Sequence, residues 1–315
     1  MRKALVVGID GYPTCPLNGC VNDAIKMKAV LERHSNGSPN ISVRELLSTQ
    51  EKITRSRLKE EIANLFSGDP DVALFFFAGH GCLNSFGGYI VTPDFTKYDE
   101  GVSMDDVFGA ANRSHARNRI VILDCCHSGI MGSPKITEGK FSELADGVTV
   151  LTACRSNETA SEVNDQGVFT SLVIDALQGG SADLVGHVSP GSIYAYVDRA
   201  LGPWGQRPVF KTNVSQFVSL RNVDPPIETS VLRKITTHFT TPYEQFNLDP
   251  TFEDTEANSI PGNVAIMKEL QKMEGVGLVV PVGENHMYYA AINNKSCRLT
   301  ALGMQYWKLI TAGNI

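Results

Sequence analysis

The feature that most constrains this chain is an apolar run that ends in reactive side chains. Residues 119–129 read RIVILDCCHSG, so Ile120, Val121, Ile122 and Leu123 lead directly into Asp124, Cys125, Cys126, His127, Ser128 and Gly129. Such a run suits a strand buried on both faces, as in a parallel sheet covered by helices. The polar residues then fall at the strand's carboxyl end, where open α/β sheets bind ligands. Residues 71–81, DVALFFFAGHG, repeat the pattern, with His80 and Gly81 after the run.

Side chains alternate along a strand, which separates the two adjacent thiols. Asp124 and Cys126 share one side; Leu123 and Cys125 share the other, so Cys125 is expected in the core. On the second run Ala78 and His80 share a side. A cysteine nucleophile needs a lowered thiol pKa or an adjacent base, and an imidazole supplies either. The expected pair is Cys126 with His80. His127 is a rival base, but it should leave the strand opposite Cys126, so a structural hydrogen bond suits it better.

Strand-like and helix-like stretches alternate from the start: a strand at 3–10, a loop at 11–19, and a helix capped by Asn22 with Asp23 in its first turn. Next come a strand at 42–47 and a helix opened by Thr54. After His80 follow a loop at 82–88, a short extended piece at 89–92 and a helix at 105–112. The nucleophile run precedes a polar loop at 131–147, a strand at 148–154, helices at 169–177 and 192–201, and a strand at 208–211. This order predicts a doubly wound α/β sheet. Pro225 and Pro226 mark a joint, dividing the chain into domains 1–225 and 226–315. The second domain reads as a helix (231–239), an acidic loop (240–261), a helix (264–273), a β-hairpin (277–282 with 287–292) and a closing helix (299–310).

AGHG and DCCHSG, together with GCVNDA at 19–24 and the stretches 88–106, 152–170 and 206–208, resemble caspase-like cysteine peptidases, most of all their metacaspase and bacterial caspase-like branch. The resemblance covers residues 1–225. It implies a caspase-like α/β/α sandwich with a mostly parallel sheet, and a Cys126–His80 dyad with the N–H groups of Gly81 and Cys126 as oxyanion donors. It also implies an acidic primary pocket holding Asp23 and Asp124, lined by Cys20 and by Ala78, which stands where some relatives carry serine. Two carboxylates in one pocket repel unless a cation lies between them, so the expected substrates are proteins or peptides cut after Arg or Lys. Lys135 and Lys140 are candidate processing sites in the loop after the nucleophile. Asp94, Asp105 and Asp106 match acidic positions with which some metacaspases hold calcium. No carboxylate stands at 131–134, where a fourth is expected, so no cofactor is required and the three read first as loop and helix-cap aspartates, with calcium binding as the alternative. By analogy the family points to bacterial defence or cell death.

The second domain resembles a winged-helix module. Its seven Lys and Arg against nine Asp and Glu favour docking of a regulatory protein over DNA, and the chain's net charge of −6 also argues against nucleic acid as the main partner. A catalytically silent scaffold and a DNA-binding regulator are the alternatives. No stretch approaches a membrane span. Seven cysteines without framework spacing, and an apolar start cut short by Asp10, predict a reducing cytoplasm.

Overall fold

The computed structural model describes residues 1–97, 99–125, 144–153, 167–202 and 207–315. They form two compact units: Met1–Ala182 with His187–Asp224, and Asp183–Gly186 with Pro225–Ile315.

The first unit contains β1 (Arg2–Gly8), α1 (Cys20–Glu32), β2 (Ser42–Leu47), α2 (Arg55–Leu65), β3 (Val72–Ala78), β4 (Gly81–Asn84), β5 (Gly87–Thr96), β6 (Asp99–Ser103), α3 (Met104–Arg113), β7 (Asn118–Asp124), β8 (Val148–Thr152), α4 (Val168–Asp175), β9 (His187–Val188), α5 (Pro190–Leu201), β10 (Val209–Asn213) and β11 (Arg221–Asn222). Its central sheet has the order β10-β8-β7-β3-β1-β2. All neighbours run parallel except β10, which is antiparallel to β8. The mostly parallel α/β sheet is therefore as the sequence leads one to expect.

Alternation sorts the strand side chains onto two helical layers. Leu74, Phe76, Ala78, Ile120 and Ile122 pack with Ala24, Met27 and Leu31 of α1, Phe169 and Val173 of α4, and Ile193 and Val197 of α5. Phe75, Phe77, Val121, Leu123 and Cys125 pack with Leu58, Ile62 and Leu65 of α2 and with Val107 and Phe108 of α3. Phe75, Phe76 and Phe77 are fully buried, each stabilising the fold by about 2–3 kcal/mol relative to exposure.

Three details of the first unit differ from the sequence reading. Helix α1 opens at Cys20, with Gly19 rather than Asn22 at its N-cap position. The expected loop at 82–88 is instead a β4–β5 hairpin, extended by β6 into an antiparallel sheet. Here β5 carries the chain onward through Thr96, well past the short piece expected at 89–92. Finally, α4 runs into a wide helical turn at Ala176–Gly180, where Gly179 at φ 133° takes a conformation open to glycine.

The second unit contains α6 (Thr229–Arg233), α7 (Ile235–His238), β12 (Gln245–Asn247), α8 (Pro261–Gly275), β13 (Val279–Val282), α9 (Met287–Ile292), β14 (Ser296–Leu299) and α10 (Ala301–Thr311). The acidic stretch at 240–261 thus holds a strand, and the three strands pair antiparallel in the order β12-β14-β13. The hairpin expected between 277–282 and 287–292 is corrected: residues 287–292 are helix α9, and β13 pairs with Ser296–Leu299. Met287, Ala290 and Ala291 are buried while Tyr288 and Tyr289 are exposed, a spacing of three and four that belongs to a helix. Asn294, at φ 49°, then turns the chain into β14. Among the described residues no helix is long and apolar enough to cross a membrane.

Candidate active site

Register brings three strand ends into line. Gly8 of β1 pairs with Ala78 of β3, and Ala78 pairs with Asp124 of β7. A Cβ on Gly8 would collide with the Cys20 carbonyl oxygen, so glycine is what allows the first turn of α1 to close on the sheet. Asp10, just past β1, caps that turn: its Oδ1 accepts Cys20 N–H at 2.9 Å and its Oδ2 accepts Val21 N–H at 3.2 Å. Asp23 then lies in the first turn of α1, buried at 2% exposure.

Asp23 and Asp124 converge on one point from different elements. The Oδ2 of Asp124 accepts the Thr170 hydroxyl at 2.6 Å and the Thr170 N–H at 3.3 Å. The Oδ2 of Asp23 accepts Gly167 N–H at 3.0 Å. A Cβ on Gly167 would strike Asp124 Oδ2 and come within 3.0 Å of Asp23 Oδ2. Cys20 and Ala78 are buried on this side of the sheet.

His80 is held from several directions. Its Nε2 lies 2.7 Å from the Cys15 carbonyl oxygen. A carbonyl only accepts, so Nε2 carries the proton and Nδ1 is the ring's basic nitrogen. His80 N–H donates to Tyr12 Oη at 3.0 Å, and its carbonyl accepts Val91 N–H at 2.9 Å. The Tyr12 hydroxyl in turn donates to the Val91 carbonyl at 3.2 Å. The Tyr12 and His80 rings stand 4.5 Å apart. Burial pushes the Tyr12 phenol well above its ordinary value, so it acts as a neutral hydrogen-bonding group. Gly81 opens β4 opposite Ile90.

Cys125, the last described residue of the 119–129 run, is buried beside Leu123. Cys126, His127, Lys135 and Lys140 lie outside the described residues. Of the described thiols, burial pushes Cys82 up to about 11 and Cys297 up to about 12, which makes both poor nucleophiles.

The calcium candidates have structural partners. Both oxygens of Asp94 accept Arg55 N–H, at 3.1 and 3.2 Å, at the start of α2. Asp106 pairs with Lys59 at 2.7 Å, which holds its carboxyl below the usual range. Asp105 and Asp106 lie in the first turn of α3, where negative charge complements the helix dipole. Among the described residues no three His, Cys, Asp or Glu side chains are grouped to hold a metal.

The model of the caspase domain matches residues 1–220. The chain belongs to the caspase domain family. It is 28% identical over 194 residues to metacaspase-1 of Plasmodium falciparum, covering 52% of this chain and 31% of that one. It is 25% identical over 202 residues to metacaspase-3 of Trypanosoma cruzi, covering 53% and 56%. The chain therefore spans about a third and about half of these relatives' lengths. Among solved structures, a Geobacter sulfurreducens protein superposes with a TM-score of 0.51 at 19% identity, over 70% of this chain and 97% of that one. Caspase-1 of Spodoptera frugiperda gives 0.50 at 10% identity, over 71% and 91%. At these identities the likeness shows the fold.

Within this caspase domain, sequence reasoning passed over Asp10, Tyr12, Gly167 and Thr170. Asp10 is a carboxylate between a strand and a helix, but it caps a turn ten positions further on, beyond the reach of local capping signals. Tyr12 and Thr170 carried no local signal, since their roles arise from contacts with His80 and Asp124, 68 and 46 positions away.

Proposed function

We propose that this caspase-family chain is a cysteine endopeptidase that cuts after Arg or Lys, with Cys126 as nucleophile and His80 as its acid–base partner. The Cys126 thiolate attacks the substrate carbonyl, and a C–S bond forms as the carbonyl π electrons move to oxygen. The oxyanion is held by the N–H groups of Gly81 and Cys126. Collapse breaks the C–N bond, and His80 protonates the departing amine. Water, deprotonated by His80, then attacks the thioester and releases the acid and the thiol. Asp23 and Asp124 receive the substrate's cationic side chain, with Arg able to use two parallel hydrogen bonds.

The observation that carries this reading is the convergence of Asp23 and Asp124 over Gly167, at the carboxyl end of the sheet from which the His80 segment also departs. Lys135 and Lys140 are proposed points of processing. The second unit, with its near balance of charge and a helix, α8, leading into the β12-β14-β13 sheet, is proposed as a winged-helix-like docking module for a regulatory protein. The proposal places the protein in the cytoplasm, with a role in defence or cell death.

A peptide library profiled at the residue before the cut tests the reading. Wild type should prefer Arg or Lys, and Asp23→Asn and Asp124→Asn should each lose that preference. Cleavage after Asp, or an unchanged preference in both variants, contradicts it.

A further inference from the structure

The acid pair is organised by one short segment at the start of α4. Gly167 N–H donates to Asp23 and Thr170 donates twice to Asp124, all in buried positions. Thr170 itself is fully buried. These donors pin one oxygen of each carboxylate and so fix the orientation of both groups. The missing side chain at Gly167 is part of the same device, because a Cβ there would enter the space the two carboxylates share.

We propose that Gly167 and Thr170 are positioning residues for substrate specificity, holding Asp23 and Asp124 in the arrangement that grips a guanidinium or ammonium group. The inference rests on the reading of the two acids as the primary pocket. Two carboxylates this close repel, and without held donors they swing apart or take up a proton. Gly167 and Thr170 offset the repulsion before the substrate arrives, so less ordering is left for binding to accomplish. On this reading neither residue takes part in the bond changes. Their loss should therefore weaken binding of the basic side chain and leave the chemical step alone.

The variants are Thr170→Val, which keeps the shape and removes the hydroxyl donor, and Thr170→Ser, which restores it. On a peptide reporter with Arg before the cut, Thr170→Val should raise KM about tenfold or more with kcat within about twofold, as expected for losing a hydrogen bond to a charged group. Thr170→Ser should return KM to within about twofold of wild type. Gly167→Ala, which keeps the hydroxyl and adds the colliding methyl, should also raise KM.

A second arm reads binding alone: in the Cys126→Ala protein, the arginine peptide's Kd by calorimetry should rise by the same factor when Thr170→Val is added. That arm separates the two ideas. Failure of the peptidase reading appears as wild type that does not turn over the reporter. Failure of the positioning role appears as an unchanged Kd and KM in Thr170→Val, or as a fall in kcat that Thr170→Ser does not repair.

Discussion

The hydroxyl of Tyr12 stands between two strands' worth of backbone, accepting His80 N–H at 3.0 Å and donating to the Val91 carbonyl at 3.2 Å. The same tyrosine places its ring 4.5 Å from the imidazole. Tyr12 thus acts on both the backbone and the ring of His80, alongside the Cys15 carbonyl at Nε2. Tyr12→Phe keeps the ring and removes the hydroxyl. It should lower kcat on an arginine reporter about tenfold, since misplacing a catalytic group is costly, while KM stays near wild type. Steady-state kinetics checks this; an unchanged kcat denies Tyr12 the role.

Asp10 ties the end of β1 to the first turn of α1. Asp10→Ala should cost about 1–2 kcal/mol, the usual worth of a capping carboxylate. For a domain of this size that is a fall in Tm of about 4 °C. It should also raise KM for the arginine reporter, because α1 carries Asp23. A thermal melt alongside kinetics reads both effects.

How much of this was legible in the sequence follows the range of the interactions. The buried strands could be read because apolar runs such as 72–78 and 120–123 state their own burial. Cys125 could be assigned to the core from alternation alone, and it packs there beside Leu123. The β4–β5–β6 sheet was hidden because its strands are partly exposed, Gly-bearing and without a strong period. Residues 287–292 misled for the opposite reason: MYYAAI has strand-like composition, and only the burial of Met287, Ala290 and Ala291 reveals the helix. The clamp of Gly167 and Thr170 on two distant acids depends on tertiary placement, which no local pattern encodes.

Glu253 is a site of stored instability in the second unit. Its side chain is buried, and its Oε1 has no hydrogen-bond partner among the described residues. Burial, then the nearby Asp254 and Glu256, push its carboxyl above the ordinary value. A folded-state value above the unfolded one means that the stabilising contribution is complete below the unfolded value and is lost as pH rises through the folded one. Glu253→Gln removes the charge that burial and the two neighbouring acids disfavour, and should therefore stabilise the protein at neutral pH. The gain should shrink as pH is lowered. Melts at pH 4.5 and 7.5 give the comparison.

Half-buried Cys82 and buried Cys297 should resist alkylation. With Cys82 near 11 and Cys297 near 12, about a thousandth or less of either is thiolate at pH 8. Iodoacetamide followed by peptide mapping should leave both largely unmodified after Cys126 has reacted. Early labelling of Cys297 contradicts its place in the core.

Covalent capture gives the sharpest check on the pairing of Cys126 with His80. A chloromethyl ketone bearing an arginine side chain is incubated with wild type and with His80→Ala, and the adduct is located by mass spectrometry. One adduct per chain is expected, on Cys126, formed much more slowly when His80 is replaced or when the ketone bears an aspartate side chain. An adduct on Cys15 or Cys125 instead, or equal rates with and without His80, would contradict it.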